Sequence, residues 1–236
     1  MDHISPRLGI LMLDTRFPRI PGDVGNPATW NFPVTYCVVK GATPHAIVEG
    51  NQTPFVEAFV AAGHRLVEQG CTGIATTCGF LSPMRAYLAT QLGVPVAASA
   101  LEQAPQIQGM IPGKKLGVLT ISGESLNRVH LDAAQVPVES IIRGVEGTAF
   151  ATSILDNKTH LDVDLARREL VAAAREMLEE VPGIGAILLE CTNMPPYATD
   201  IARATGLPVF SIVTYLNWFH AGLMPPTHKA PDLQEQ

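Results

Sequence analysis

Ile74-Ala-Thr-Thr-Cys78-Gly-Phe-Leu-Ser-Pro83 and Ile187-Leu-Leu-Glu-Cys191-Thr-Asn-Met-Pro-Pro196 are two versions of one local plan. In each, a short apolar run enters a cysteine, a brief turn follows, and proline opens a helical stretch. The cysteines lie 113 positions apart, and the same offset carries Gly70 onto Gly183, Ile74 onto Ile187 and Pro83 onto Pro196. It also carries Ala89 onto Ala202, Gly93 onto Gly206, and Pro95-Val96 onto Pro208-Val209. These are eight identities in the 27 positions 70–96, where composition alone gives about two. A nearby offset of 108 carries Leu8-Gly-Ile-Leu11 onto Leu116-Gly-Val-Leu119.

The other apolar runs are short, rich in β-branched residues and evenly spread: Val34–Val39, Val94–Ala97, Val138–Ile142 and Val209–Val213. Runs without polar alternation predict strands buried on both faces. Between them, Phe55, Phe59, Ala62, Leu66 and Val67 recur at helical spacing, as do Leu165, Leu170, Ala174, Met177 and Leu178. Strands alternating with helices predict parallel sheets flanked by helices. The fold class is therefore α/β. Two similar α/β half-domains are related by a pseudo-twofold, with the active site in the cleft between them. The N-terminal half takes residues 5–100 plus a returning helix at 214–224, and the C-terminal half takes 101–213. The polar, proline-bearing residues 225–236 are expected to be a mobile tail.

The chain has 236 residues, 47% of them hydrophobic and 16% charged, with a net charge of −6. This composition excludes a disordered chain and a basic nucleic-acid surface. Four cysteines do not make a disulfide framework. No apolar run is long enough for a membrane span or a leader, so the expected location is the cytoplasm, where thiols stay reduced. The seven histidines are scattered without metal-ligand spacing, and no phosphate-binding glycine loop or GxSxG motif occurs. Neither a metal nor a cofactor is expected.

A lone strand-end cysteine is commonly a small buried hydrophobe, and Cys37 and Cys71, which lack counterparts, are read that way. A matched pair is different. Each of Cys78 and Cys191 falls at the carboxyl end of a parallel strand, where open α/β sheets bind ligands. Each also faces the amides of a helix start, which favour a thiolate or a substrate carboxylate. Ser82 and Pro83 suit the cap and first turn of that helix, and Asn193 and Pro195 serve in the second half. Two thiols facing each other across a cleft suit stereoinversion: one removes a proton, and the other returns one to the opposite face.

At these residues the chain resembles the aspartate/glutamate racemase superfamily, which includes hydantoin racemases, maleate isomerase and arylmalonate decarboxylase. Thr76-Thr-Cys-Gly-Phe-Leu81 and Glu190-Cys-Thr-Asn-Met-Pro-Pro-Tyr197 are similar to its two-thiol members. Asp14-Thr-Arg-Phe-Pro-Arg19 is similar to an uncharacterised branch. The resemblance implies that Cys78 and Cys191 are the proton-transfer pair. It also implies that Thr77, Gly79, Thr192 and Asn193 hold a carboxylate, with Asp14, Thr120 and Ser122 further around the substrate, while Phe80 and Met194 read as making the site more apolar than one for a plain acidic amino acid. Glutamate racemases follow the first cysteine with Asn-Thr and place histidine two residues after the second. Gly79-Phe80 and Asn193 stand there instead, which argues against an ordinary glutamate racemase. A second thiol argues against an arylmalonate decarboxylase.

Residues 17–33 read as a long loop able to cover the cleft, from which Arg16 and Arg19 can pair with a substrate carboxylate. The expected activity is a cofactor-independent racemase or epimerase acting on a small carboxylate, in a homodimer or larger homo-oligomer without nucleic-acid or membrane partners. A maleate-type cis–trans isomerase using one cysteine as nucleophile and a non-catalytic small-acid binding protein are the alternatives.

Overall fold

The computed structural model describes residues 7–223 and 225. Apart from residue 225, the expected mobile tail falls outside the described residues, as do residues 5 and 6 of the first half.

Each half builds a four-stranded, wholly parallel sheet. The first contains β1 (Leu8–Leu13), β2 (Val34–Val39), β3 (Gly73–Thr76) and β4 (Val96–Ala97), in the order β2-β1-β3-β4. The second contains β5 (Lys115–Thr120), β6 (Ile141–Gly144), β7 (Ile184–Leu189) and β8 (Val209–Phe210), in the order β6-β5-β7-β8. The two sequence offsets are one strand register seen twice. Leu8 lies opposite Gly73 in the first sheet, and Leu116 lies opposite Ala186 in the second. The inner strands β1, β3, β5 and β7 are nearly all buried, as their unbroken apolar runs require. The edges β2 and β6 are mostly half-buried.

The connecting helices are α1 (Pro44–Val48), α2 (Val56–Glu68) and α3 (Arg85–Leu92) in the first half, and α4 (Ala104–Met110) follows β4 and leads into β5. The second half has α5 (Arg128–Ala133), α6 (Ala149–Leu155), α7 (Val163–Glu180) and α8 (Ala198–Thr205). Helices α3 and α8 end at Gly93 and Gly206, with φ of 66° and 68°. A left-handed helix end needs glycine at little cost, which accounts for that identity in the repeat. The last helix, α9 (Ile212–Leu223), lies against β3, with Leu223 and Phe219 close on Gly73.

Two local expectations change. The strand foreseen from Val138 starts at Ile141, because Ser140 N–H closes a turn onto Pro137 O at 3.0 Å and leaves Val138 exposed. Ser82 does not cap α3. It lies inside a 3-10 turn, Gly79–Met84, and its hydroxyl donates to His130 O at 3.0 Å. In the second half, Pro195 opens the 3-10 turn Pro195–Tyr197, and the side-chain amide of Asn193 donates to Asp23 at 2.6 Å rather than capping.

Glu102 joins α9 to the first half. Its carboxylate accepts the N–H groups of Ala98 and Ser99, both at 3.1 Å, and the Tyr215 hydroxyl at 2.8 Å, with Arg85 at 3.6 Å. Burial pushes its pKa up to about 7, against the pull of Tyr215, Arg85 and the two amides. A carboxyl raised in the folded state stabilises below the unfolded carboxyl range, and this contribution is lost as pH rises through about 7. Glu102→Gln is therefore expected to remove a pH-dependent penalty of roughly 3 kcal/mol. In melting curves from about pH 5 to about pH 8, the wild type loses stability relative to the variant. Parallel curves would contradict this.

Candidate active site

The chain leaves β3 through Thr77, whose N–H continues the sheet pairing to Leu11 O at 3.0 Å, and then turns at Cys78. The second half does the same: Glu190 N–H pairs with Leu119 O at 2.9 Å and the turn begins at Cys191. Both cysteines are buried, and both line one cavity between the halves. The backbone N–H two residues on, of Phe80 and of Asn193 respectively, favours the charged form of each thiol, and the Cys191 thiol donates to Asn193 Oδ1 at 3.6 Å. The matched loops thus bring matched thiols to one cavity with matched amide donors.

The cavity encloses about 20 Å³, room for a single water or a small chemical group. Thr77, Gly79, Phe80, Glu190, Thr192 and Asn193 wall it from the two turns. Thr15, Phe17 and Arg19 close it from the loop after β1, and Ile154 and Leu155 close it from α6. That loop is tied to the second half. Asp23 bridges Arg19 at 2.7 Å and Asn193 at 2.6 Å, and Arg19 lies over the Phe17 ring at 4.8 Å. Asn157, just beyond α6, donates to Asp14 O at 3.1 Å and accepts from Arg16 N at 2.5 Å.

The electrostatics differ from the expectation of activated thiols. Burial and the neighbouring Glu190 carboxylate push both thiols well above the ordinary range. The turn amides pull down, as does the Arg19 charge at Cys78, but by less. Desolvation outweighs the helix-start effect because these turns are sealed from water. Glu190 is itself pushed up to about 7 by burial, against the Thr120 hydroxyl and the Ile121 amide.

Of the residues singled out from sequence, Cys78, Cys191, Thr77, Gly79, Phe80, Thr192 and Asn193 come together at the cavity. Four do not line it. Asp14 accepts the N–H of Gly41 at 3.0 Å, and Arg16 is exposed with its backbone held by Asn157. Thr120 donates to Glu190 at 2.7 Å, and Ser122 bonds Ser125 at 3.0 Å. Arg19, rather than Arg16, reaches the cavity. Glu190, Asp23, Ile154 and Leu155 were not read from sequence. Only Glu190 left a signal there: it replaces Thr77 at the 113-residue offset. Among the described residues, no group of three or more His, Cys, Asp or Glu side chains could hold a metal, and no helix is long and apolar enough to cross a membrane.

Residues 96–218 match the family model for Asp/Glu/hydantoin racemase. Dimethylsulfoniopropionate lyase 7 of Emiliania huxleyi (strain CCMP1516) is 32% identical over 231 residues, covering 93% of this chain and 67% of that protein. The dimethylsulfoniopropionate lyase of Durusdinium sp. clade D is 27% identical over 226 residues, covering 92% and 75%. Among solved structures, allantoin racemase from Klebsiella pneumoniae superposes with a TM-score of 0.66 at 18% identity, covering 98% of this chain and 97% of that one.

The turns meet so closely that position 79 admits only glycine. A Cβ there would lie 2.1 Å from Glu190 Oε1 and 2.8 Å from the Glu190 carbonyl oxygen. Gly79→Ala is expected to destabilise by about 1–3 kcal/mol in urea unfolding. The loss should be smaller in a Glu190→Ser background, which removes the nearer obstacle. An equal loss in both backgrounds would place the clash elsewhere.

Proposed function

The chain belongs to the Asp/Glu/hydantoin racemase family, and from that premise we propose that it catalyses cofactor-independent proton abstraction next to a carboxylate, completed by β-elimination. The observation that carries this reading is the pair of thiols lining one cavity from matched strand ends. A cysteine is the base. Its proton first leaves to solvent, and the thiolate then takes a hydrogen from the carbon next to the substrate carboxylate. The electron pair of that C–H bond becomes the new carbon–carbon π bond, and the bond from the β carbon to its leaving group breaks. With dimethylsulfoniopropionate, the substrate in the names of the relatives, the products are acrylate, dimethyl sulfide and one proton. The sulfide leaves neutral, so it needs no acid. The backbone amide of Thr192, with Arg19, would hold the carboxylate as enolate charge develops. The cavity is smaller than such a substrate, so entry requires the Arg19–Asp23 loop to swing away from Asn193.

Racemisation is the second reading, and the second thiol with its own matched amide favours it. Elimination needs one base, whereas inversion needs two.

Proton NMR in D2O separates the readings. With dimethylsulfoniopropionate, the lyase reading expects vinyl signals of acrylate and the methyl signal of dimethyl sulfide. Cys78→Ser and Cys191→Ser should then differ in severity, the base variant losing about a hundredfold or more. If only α-proton exchange of amino acids or hydantoins is seen, and both variants abolish it equally, the enzyme is a racemase. Neither signal across such a panel would refute proton abstraction.

The raised thiols also set the pH profile. A base that is neutral at neutral pH makes kcat/KM climb as the medium becomes alkaline. A profile already flat at neutral pH would contradict a buried thiol base.

A further inference from the structure

Glu190 is fully buried and lines the cavity. Its Oε2 accepts the Thr120 hydroxyl at 2.7 Å, while its Oε1 has no hydrogen-bond partner. It takes part in no ion pair among the described residues, and Arg19, the cation at the cavity, is committed to Asp23 at 2.7 Å. The Thr120 hydroxyl and the Ile121 amide favour the charged form of Glu190 but no cation pairs with it, so ionisation is costly in the empty site. The repeat shows that the fold itself does not ask for an acid here, since its counterpart in the first half is Thr77. Glycine at 79 is nevertheless kept clear for it.

We propose that Glu190 selects, at this same site, substrates that carry a positive charge at the end remote from their carboxylate. A sulfonium or quaternary ammonium group cannot donate an N–H hydrogen bond but presents a diffuse charge through its methyl groups. Such a group suits a carboxylate in a cavity whose lining includes Phe17, Phe80, Ile154 and Leu155. A cation there would offset the Glu190 charge, whereas a second substrate carboxylate would be repelled by it. The inference rests on the reading of the cavity as a carboxylate-substrate site, and it names the side chain that would favour an onium zwitterion over a dicarboxylate there.

The test compares two ligands of one shape. 3-(Trimethylammonio)propionate carries the cation, and 4,4-dimethylpentanoate replaces its nitrogen by carbon. Titration calorimetry on wild-type protein is expected to show the cationic member binding about tenfold more tightly. Glu190→Gln should bring the two within about twofold without weakening the neutral ligand, and Glu190→Asp, which keeps the charge, should retain the preference. Equal affinities in the wild type would overturn the proposal without recourse to any variant, so a variant that fails to fold does not shelter it. A Glu190→Gln protein that keeps the preference but loses turnover would also overturn it, assigning Glu190 to proton handling instead. The two readings fail separately. A wild type that discriminates but releases no dimethyl sulfide upholds Glu190 and refutes the lyase, and an active lyase that does not discriminate does the reverse.

Discussion

The hydroxyl of Thr192 donates to the carbonyl of Thr77 at 2.7 Å, in a fully buried bond between segments 115 residues apart. It joins the end of one sheet to the end of the other, at the positions where the strands give way to the cysteine turns. The contact of Glu190 with Gly79 reinforces the same seam from the opposite direction. Both sheets present the carboxyl ends of β3 and β7 to this seam, so whatever the turns carry must meet there. The shared cavity follows from two copies of one α/β plan held together at their strand ends.

That closeness also sets the chemistry of the resting site. Sealing the turns from water raises both thiols and raises Glu190 to about 7, and these charges oppose one another across a small space. The site therefore rests with both thiols protonated. The loop after β1 meets the second half through Asp23 to Asn193, through Val24 N–H to Thr192 O at 3.5 Å and through Asn157 to the backbone of Asp14 and Arg16, while its Phe17, Val24 and Trp30 side chains are buried.

The fold was legible because a repeat is redundant. The 113-residue offset placed β3 with β7, β4 with β8 and α3 with α8, and the paired cysteines stood out against isolated Cys37 and Cys71. The site was legible only where it lies on the repeat: Thr77, Gly79, Phe80, Thr192 and Asn193 flank the cysteines in matched turns. Off the repeat, the reading lost its footing. In an irregular loop no periodicity tells which side chain faces inward, so Arg16 and Arg19 could not be ranked, and it is Arg19 that lies over Phe17 and against Asp23. Ile154 and Leu155 reach the cavity through tertiary packing that leaves no mark in local spacing. The expected activation of the thiols failed for a similar reason. The helix-start amides could be foreseen from the turn, but the depth of burial that overrides them could not.

The account stands on removal of a hydrogen from the carbon beside the carboxylate. The most direct test is the kcat/KM of the wild-type protein on dimethylsulfoniopropionate bearing deuterium at that carbon, set against the unlabelled compound. The account predicts that the labelled substrate turns over several-fold more slowly, because the breaking C–H bond belongs to the step that commits the substrate. Acrylate released at the same rate from both would contradict it.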